Sequence, residues 1–524
     1  MQKPQILIVG AGPTGLMMAC QLTVFGIPFR IIEKNDHPVK ESRALGIQAR
    51  TLEIFRQMGI VDEFLKNGQK TKALNYIVGN ITRRIPIGEL GQGISEYPFL
   101  LMHEQSKTEK VFNEFLQKHS KKVEWGTELV RFTQDLDGVT AVIKEKKGKE
   151  EIQTFDYVVG ADGARSVVRH GLGIELAGAT YHQLLYVLDC KVESSTFKDN
   201  EIYLSLSKNI FTAFFPLAHN VWRIIGVVPD ELSLKKDITF EDIQAHFSEH
   251  LTIPVKLSHP NWISVYHSHH RCVKEFRLGR CFLTGDAAHI HSPVGAQGMN
   301  TGLQDAYNLA WKLAFVLQGK ADPALLDTYN EERLPFAQKL VETTDRAFSL
   351  VVSENPLKAI FTKYIAPLVM KEIVKKDFTR MFMFKTISQT GISYKEGPLS
   401  QNASFGIFPK ISPLPGDRLP FIFYTNEKGQ EKNIQELVTT TKMELLIFEN
   451  DNTMEDVLNL SLEKYKDTFH ITVIKGNKEL FEAFGIVSDG FYLVRPDMYI
   501  SYRSQGISVQ HFEKYLQQFF IYTI

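Results

Sequence analysis

Apolar residues in this chain come in short blocks whose spacing alternates between continuous runs and a period near 3.6, which predicts strands interleaved with helices. Ile6-Leu7-Ile8-Val9 reads as a buried strand; it enters Gly10-Ala11-Gly12-Pro13-Thr14-Gly15, and a helical pattern then carries to about Phe25 and stops at Gly26. A second strand, Phe29–Ile32, ends on Glu33. Helices are expected over Arg43–Met58, stopped by Gly59, and from a capping box at Ser106-Lys107-Thr108-Glu109 to about Lys118. Val123–Phe132, Val139–Lys144 and Ile152–Val159 read as strands, the last running into Gly160-Ala161-Asp162-Gly163.

Between about 180 and 275 the blocks alternate with period two, as in Ile210–Pro216 and Val221–Val228 around the turn Ala218–Asn220. They predict a mostly antiparallel sheet that interrupts the nucleotide-binding unit. The helical period returns in Arg280–Gly319, where Leu303, Ala306, Ala310, Leu313 and Leu317 share a face, and Asp322-Pro323 opens the next helix. Residues 346–392 read as helical and connecting, and Gly397–Pro420 as a linker. A βαβ-like pattern closes the chain, with strands at Glu444–Phe448, Thr468–Ile474, Gly490–Val494 and Met498–Arg503 and a helix from Val509.

Composition narrows the class without naming it. At 524 residues, 44% hydrophobic and 23% charged, the chain holds two or three globular domains. Sixty basic and sixty acidic residues cancel, so no nucleic-acid or anionic-membrane footprint is expected. The four cysteines carry no CxxC or zinc spacing, which fits a reducing cytoplasm. A strand begins almost at the N-terminus, so no signal peptide is expected, and no run is long enough to span a membrane. Leu350–Met383 is apolar but broken by polar residues, and reads as packed helices, with an interfacial membrane helix as the minor alternative. His289 and His291 lie two apart with no third ligand nearby in sequence, so no metal is expected.

Two segments carry chemistry. Strand, GxGxxG, helix, strand and an acidic residue make the dinucleotide fingerprint in its full context. Gly10 permits the turn, Gly12 admits a pyrophosphate, Gly15 lets helix and strand close, and Glu33 holds ribose hydroxyls. Far along the chain, Arg280–Asp305 reads RCFLTGDAAHIHSPVGAQGMNTGLQD. A strand ending in Gly285-Asp286, a Pro/Gly loop and a helix start near Asn300 suit a negatively charged ring system with a polyol tail. There is one fingerprint only, because Gly91-Gln92-Gly93 neither follows a strand nor opens a glycine-ended helix.

With GAGPTG, GADGARS and TGDAAHIHSPVGAQGMNTGLQD in that order, the chain resembles the single-component, class A FAD-dependent monooxygenases, nearest the phenol-hydroxylase-like, pentachlorophenol- and antibiotic- or polyketide-hydroxylase branches. LLDTYNEERLP and LVRPDMYISYRS extend the likeness over nearly the whole chain. The resemblance implies an α/β protein: a Rossmann-like FAD-binding domain in two parts (1–179 and 276–345), a mostly antiparallel substrate-binding sheet between them (180–275), a helical connector (346–396) and a C-terminal thioredoxin-like α/β domain (397–524). That tail has no cysteine, which leaves it a packing or homodimer role.

Carried over by motif, Gly10, Gly12, Pro13, Thr14 and Gly15 meet the FAD pyrophosphate, Glu33 and Lys34 the adenosine ribose, Gln105 the nucleotide and Leu129 the adenine. Arg43 reaches phosphate or the flavin, Asp162 serves FAD and pyridine nucleotide, Asp286 binds the ribitol, and Pro293, Gly295, Gly298, Met299 and Asn300 surround the ring. The resemblance implies that NADPH or NADH would bind transiently and reduce FAD, that O2 would add at the flavin C4a, and that the hydroperoxide would oxygenate an aromatic or polycyclic substrate. Arg43, Arg223 and Pro293 are the expected catalytic residues, with Phe211, Phe214, Trp222 and Tyr266 lining the substrate pocket. Two departures bear on the substrate: the tyrosine expected two positions after Arg223 is Ile225, and an expected acidic residue is Leu45. Both point away from a simple phenol toward a larger, polyketide-like molecule, including an antibiotic that the enzyme inactivates. Baeyer–Villiger insertion and an FAD oxidoreductase that inserts no oxygen are the alternatives.

Overall fold

The structure, a computed structural model, describes residues 4–39, 44–79, 81–207, 210–235, 237–250, 254–292, 296–351, 377–403, 406–426, 428–451 and 453–521. Arg43, Pro293 and Gly295 lie outside these residues, as does most of the apolar stretch 350–383.

Hydrophobic strands from five distant segments make the nucleotide-binding sheet. Its order is Arg277–Leu278, Cys281–Leu283, Tyr157–Gly160, Ile6–Val9, Phe29–Glu33, Glu124–Trp125, parallel throughout except at the Arg277–Leu278 edge. Ile6, Leu7, Ile8, Val158, Val159 and Phe282 are fully buried, as strands covered on both faces require. Helix Pro13–Val24 packs on this sheet and against the long helix Gly298–Leu317. The run expected as one strand, Ile152–Val159, divides at Asp156. Glu150–Phe155 joins an antiparallel meander with Glu128–Gln134 and Val139–Lys144, while Tyr157–Gly160 enters the parallel sheet.

The second sheet has eight strands, and it recruits more of the chain than the 180–275 block. Its order is His289–Ile290, Lys256–Cys272, Ala177–Glu193, Val221–Val227, Ile210–Pro216, Glu201–Ser207, Ala73–Val78, Ile81–Pro86. All pairs are antiparallel except Glu201–Ser207 with Ala73–Val78. One face packs under helix Phe240–His250; the other turns toward the nucleotide-binding unit, where Leu45, Leu100 and Met102 meet Ile202 and Leu217.

Near the N-terminus the helix expected over Arg43–Met58 begins only at Ala49. Gly46–Ile47 is extended instead and pairs with Leu101–Met102, because the buried Asn300 side chain ties down the Gly46 carbonyl (2.8 Å) and the Gln48 N–H (2.9 Å). The capping box expected at Ser106 does not form: helix Gln105–Lys118 starts after Glu104 without a side-chain cap, and Glu109 accepts a bond from Gln105 at 2.9 Å.

The C-terminal sheet runs Gln401–Asn402, Ile500–Gln505, Gly490–Val494, Met443–Phe448, Phe469–Ile474. The segment read as a linker packs tightly: Gly416 N–H bonds the Ile500 carbonyl at 2.7 Å, Leu419 is fully buried, and Arg418 reaches Glu53 at 2.9 Å. Among the described residues no helix is long and apolar enough to cross a membrane.

Candidate active site

The fingerprint loop is shaped by contacts only glycine tolerates. Gly10 has φ +100°, and a Cβ on Gly15 would overlap the Gly10 carbonyl oxygen. Gly12 differs, because nothing among the described residues lies within 4 Å of where its Cβ would be. Gly12 also precedes helix Pro13–Val24 with no side-chain cap, so the first turn presents its N–H groups and the positive end of the helix dipole to that open space. Glu33 closes one side: its two carboxylate oxygens accept from Ala11 N–H and Asn35 N–H, both at 3.0 Å, leaving lone pairs for hydroxyl donors. Lys34 is exposed beside it.

The distant Gly285-Asp286 motif arrives at the same place. A Cβ on Gly285 (φ +56°) would come within 2.6 Å of Thr14 Oγ1, and one on Gly302 would overlap the same atom. Thr14 is therefore the point where the fingerprint helix, the Gly285–Ala287 turn and the long helix touch. Asp286 is exposed on that turn. Asp162, beyond strand Tyr157–Gly160, accepts from Val167 N–H (2.7 Å) and Val168 N–H (3.2 Å) through Oδ2, while its buried Oδ1 has no partner among the described residues. Burial pushes the Asp162 carboxyl above its usual range. An orphaned acceptor, a glycine with open space and two helix starts in one crevice fit an extended dinucleotide.

The long helix begins at Gly298 with Gln297 as N-cap and no side-chain cap. Gly298 and Met299 supply its first turn. The Asn300 side chain is consumed in ties to Gly46, Gln48, Thr51 and Ala296, which leaves only its backbone for a ring. Gln105 bonds Ala44 and Glu109, and Leu129 is buried in the core.

Four pocket residues were expected from the second sheet, and alternation divides them. Phe214 and Trp222 belong to the outer core with Tyr203, Phe197 and Phe247 under helix Phe240–His250. One residue along, Phe215 pairs with Arg223 on the inner face, and Phe211 shares its side of the strand. Tyr266 packs with Tyr181, Leu185 and Phe348. Trp222 also lines an open groove of about 740 Å³ with Phe197, Glu193, Asn220 and Lys256, away from the glycine motifs. Arg223 is 1% exposed and bidentate to Asp189 at 2.8 and 2.7 Å; Trp262 Nε1 donates to the same carboxylate at 2.8 Å. Its remaining nitrogen reaches the Ala44 carbonyl at 3.4 Å, linking the inner face to the nucleotide-binding unit.

Burial, and more weakly the charge on Glu33, push the Glu109 carboxyl up to about 7 despite the bond from Gln105. The folded state therefore holds an extra proton between about pH 4.5 and 7, and stability falls as pH rises through that window. Glu109→Gln is expected to stabilise the apoprotein at pH 8, by up to about 3 kcal/mol, and to change nothing at pH 4. Thermal unfolding at both pH values checks this; an equal gain at both would refute the titration.

Sequence reading missed Asp305. It is fully buried and accepts from Gly285 N–H (3.0 Å), His289 Nε2 (2.8 Å) and Arg333 Nε (2.7 Å). His289 is thus a partner of Asp305. Asp305, Asn308 and Lys312 recur at helical spacing within an otherwise apolar helix, a signal that polar groups there face partners in the core.

Residues 3–344 match the family described as FAD binding domain. A 6-methylpretetramide 4-monooxygenase from Streptomyces rimosus is 32% identical over 530 residues, covering 96% of this chain and 91% of its own length. A pentachlorophenol 4-monooxygenase from Sphingobium chlorophenolicum is 33% identical over 357 residues, 67% of this chain and 65% of its own. Among solved structures, an anhydrotetracycline hydroxylase from Streptomyces rimosus superposes with a TM-score of 0.76 at 27% identity over 99% of each chain.

Proposed function

Because the chain belongs to the FAD binding domain family and is an FAD-dependent monooxygenase, we propose that it hydroxylates a large polycyclic aromatic or polyketide-like molecule in the cytoplasm, with NAD(P)H and O2 as co-substrates. What carries this reading is the meeting of two distant motifs, the fingerprint and the Arg280–Asp305 segment, at Thr14. Gly10, Gly12, Thr14 and Gly15 would hold the pyrophosphate, Glu33 the ribose, and Asp286 the ribitol. Bound FAD supplies the electron transfer from NAD(P)H and the activation of O2.

The chain's own contribution is binding, charge and dryness. The first turn of helix Gly298–Leu317 has free backbone N–H groups that would hold negative charge on the flavin ring, stabilising it by up to ~2 kcal/mol. Leu45, Leu100, Met102, Ile202 and Leu217 pack into one buried apolar cluster where the second sheet meets the nucleotide-binding unit, which would help keep water from the flavin. Arg223, held by Asp189 and Trp262, orders the inner face rather than presenting a mobile cation. Ile225 and Leu45, standing where polar residues were expected, favour a fused-ring substrate over a simple phenol. The relatives named for 6-methylpretetramide and anhydrotetracycline support the same class.

Two arginines suit the phosphates of NAD(P)H. Arg169 bonds the Ala287 and Ala164 carbonyls at 3.1 and 2.9 Å, and Arg271 bonds Thr180 Oγ1 at 2.9 Å. Each has a buried Nε with no partner among the described residues, and burial together with the Arg271 charge lowers the Arg169 pKa. Two neighbouring guanidinium groups with spare donors favour an anion. Arg271→Ala is expected to raise KM for NADPH about tenfold or more while FAD content stays the same. Unchanged KM would remove Arg271 from this role.

Residues 397–524 read as a thioredoxin-like unit without thiols. Support comes from the succession of strand Met443–Phe448, helix Thr453–Leu462, strand Phe469–Ile474, helix Lys478–Phe484, strands Gly490–Val494 and Ile500–Gln505, and helix Val509–Leu516. The function is tested by incubating the purified protein with NADPH, ¹⁸O2 and a panel of hydroxylated fused-ring aromatics. Substrate-stimulated NADPH oxidation with ¹⁸O in the product is expected. NADPH oxidation that never yields labelled product would refute oxygen insertion.

A further inference from the structure

The turn that would bind the ribitol is held from outside its own loop. Gly285 N–H donates to Asp305, and Asp305 is kept ionised by Arg333 and His289 even though burial alone would raise its pKa. Arg333 is fully buried; besides Asp305 it donates to the Thr301 carbonyl (3.1 Å) and to the Tyr394 hydroxyl (3.0 Å). The Tyr394 ring lies 4.4 Å from the Tyr499 ring, and the Arg495 guanidinium sits 5.4 and 5.6 Å from those two rings. Arg495 and Tyr499 belong to the segment between strands Gly490–Val494 and Ile500–Gln505 of the C-terminal sheet. An unbroken set of contacts therefore runs from that sheet to the Gly285-Asp286 turn.

We propose that Asp305, Arg333 and Tyr394 are positioning residues for the flavin-binding turn, through which the C-terminal unit sets FAD affinity. The proposal rests on the reading that FAD binds at that turn. The turn has little freedom to compensate, since Gly285 sits against Thr14 and its N–H has one acceptor, a carboxylate fixed on three sides. Loosening Arg333 lets Asp305 rotate, and the turn then loses its register with the fingerprint helix.

The test uses full-length protein stripped of FAD and retitrated, with three readouts: FAD dissociation constant, visible circular dichroism of the bound flavin, and melting temperature of the apoprotein. Asp305→Asn is expected to weaken FAD binding about tenfold or more, and Tyr394→Phe, which removes one acceptor from Arg333, about threefold to tenfold. Both should alter the flavin dichroism. Tyr499→Phe removes a hydroxyl that bonds nothing among the described residues, and should change neither affinity nor spectrum. Should Asp305→Asn fail to fold, Tyr394→Phe decides alone. Lower melting temperatures with unchanged affinity and dichroism would overturn the proposal. Failure of the unmodified protein to bind FAD would overturn the reading beneath it, and is seen before any variant is made.

Discussion

Gly12→Ala is expected to fold with the melting temperature of the unmodified apoprotein but to purify without yellow colour, whereas Gly15→Ala is expected to lose both stability and cofactor. The two glycines stand three residues apart in one loop, yet their surroundings differ. At Gly15 an added methyl meets the Gly10 carbonyl, with the Gly10 carbonyl carbon at 3.0 Å and Ala161 Cβ at 3.3 Å. Most of that is backbone, which cannot swing aside, so overpacking costs about 1–3 kcal/mol or more. At Gly12 the methyl enters space that the protein leaves open. Only a ligand pressed against the helix start would feel it, and a loss of FAD affinity of about a hundredfold is expected where the pyrophosphate must approach the backbone. Urea unfolding of the apoproteins and flavin titration separate the two effects. Equal FAD affinity in Gly12→Ala and the unmodified protein would place the pyrophosphate elsewhere.

Arg495→Met is expected to destabilise the protein by about 3–5 kcal/mol, while Lys312→Met costs far less. Both cations face Glu332: Lys312 Nζ at 2.8 Å and Arg495 Nη2 at 3.0 Å, with Arg495 also bidentate to Asp497. All four groups are buried. Burial pushes the Glu332 carboxyl up, but Arg495 and then Lys312 outweigh it and hold it well below the usual range. Burial dominates at Lys312, whose pKa falls in spite of Glu332. Removing Arg495 strands two carboxylates with one ammonium. Removing Lys312 leaves Glu332 paired with Arg495 and bonded by Asn308 Nδ2 at 2.7 Å. Acid should act in the same direction: a depressed carboxyl contributes stability above its unfolded pKa near 4.3 that is lost as pH falls below it. Equilibrium unfolding in urea at pH 7 and pH 3 checks the order, and equal losses for the two variants would contradict it.

Both halves of the crevice at Thr14 were legible in the sequence, because each depends on local backbone chemistry. Gly10-Ala11-Gly12-Pro13-Thr14-Gly15 and Gly285-Asp286 prescribe turns that few other residues tolerate, and their flanking strands are continuous apolar runs. Elements whose form depends on distant partners were less legible. Asn300 draws Gly46–Gln48 into extended structure, which propensity within SRALGIQART does not reveal. Phe214 and Phe215 are adjacent aromatics, and composition cannot tell which faces the nucleotide unit; that is fixed by Arg223 pairing with Asp189 across the sheet. The buried set of Asp305, Glu332, Arg333 and Arg495 spans nearly two hundred positions, so it emerges only when the chain has folded back on itself.

The order in which the parallel sheet is assembled bears on how the protein is made. Strand Cys281–Leu283 pairs with Tyr157–Gly160 only after the intervening antiparallel sheet has been synthesised, so on the ribosome the edge of Tyr157–Gly160 stays bare while that insertion emerges. The N-terminal portion thus waits for later sequence before it can bury its interior. Nascent chains stalled inside the insertion should depend on chaperones, and truncation there should give aggregates rather than a smaller flavoprotein.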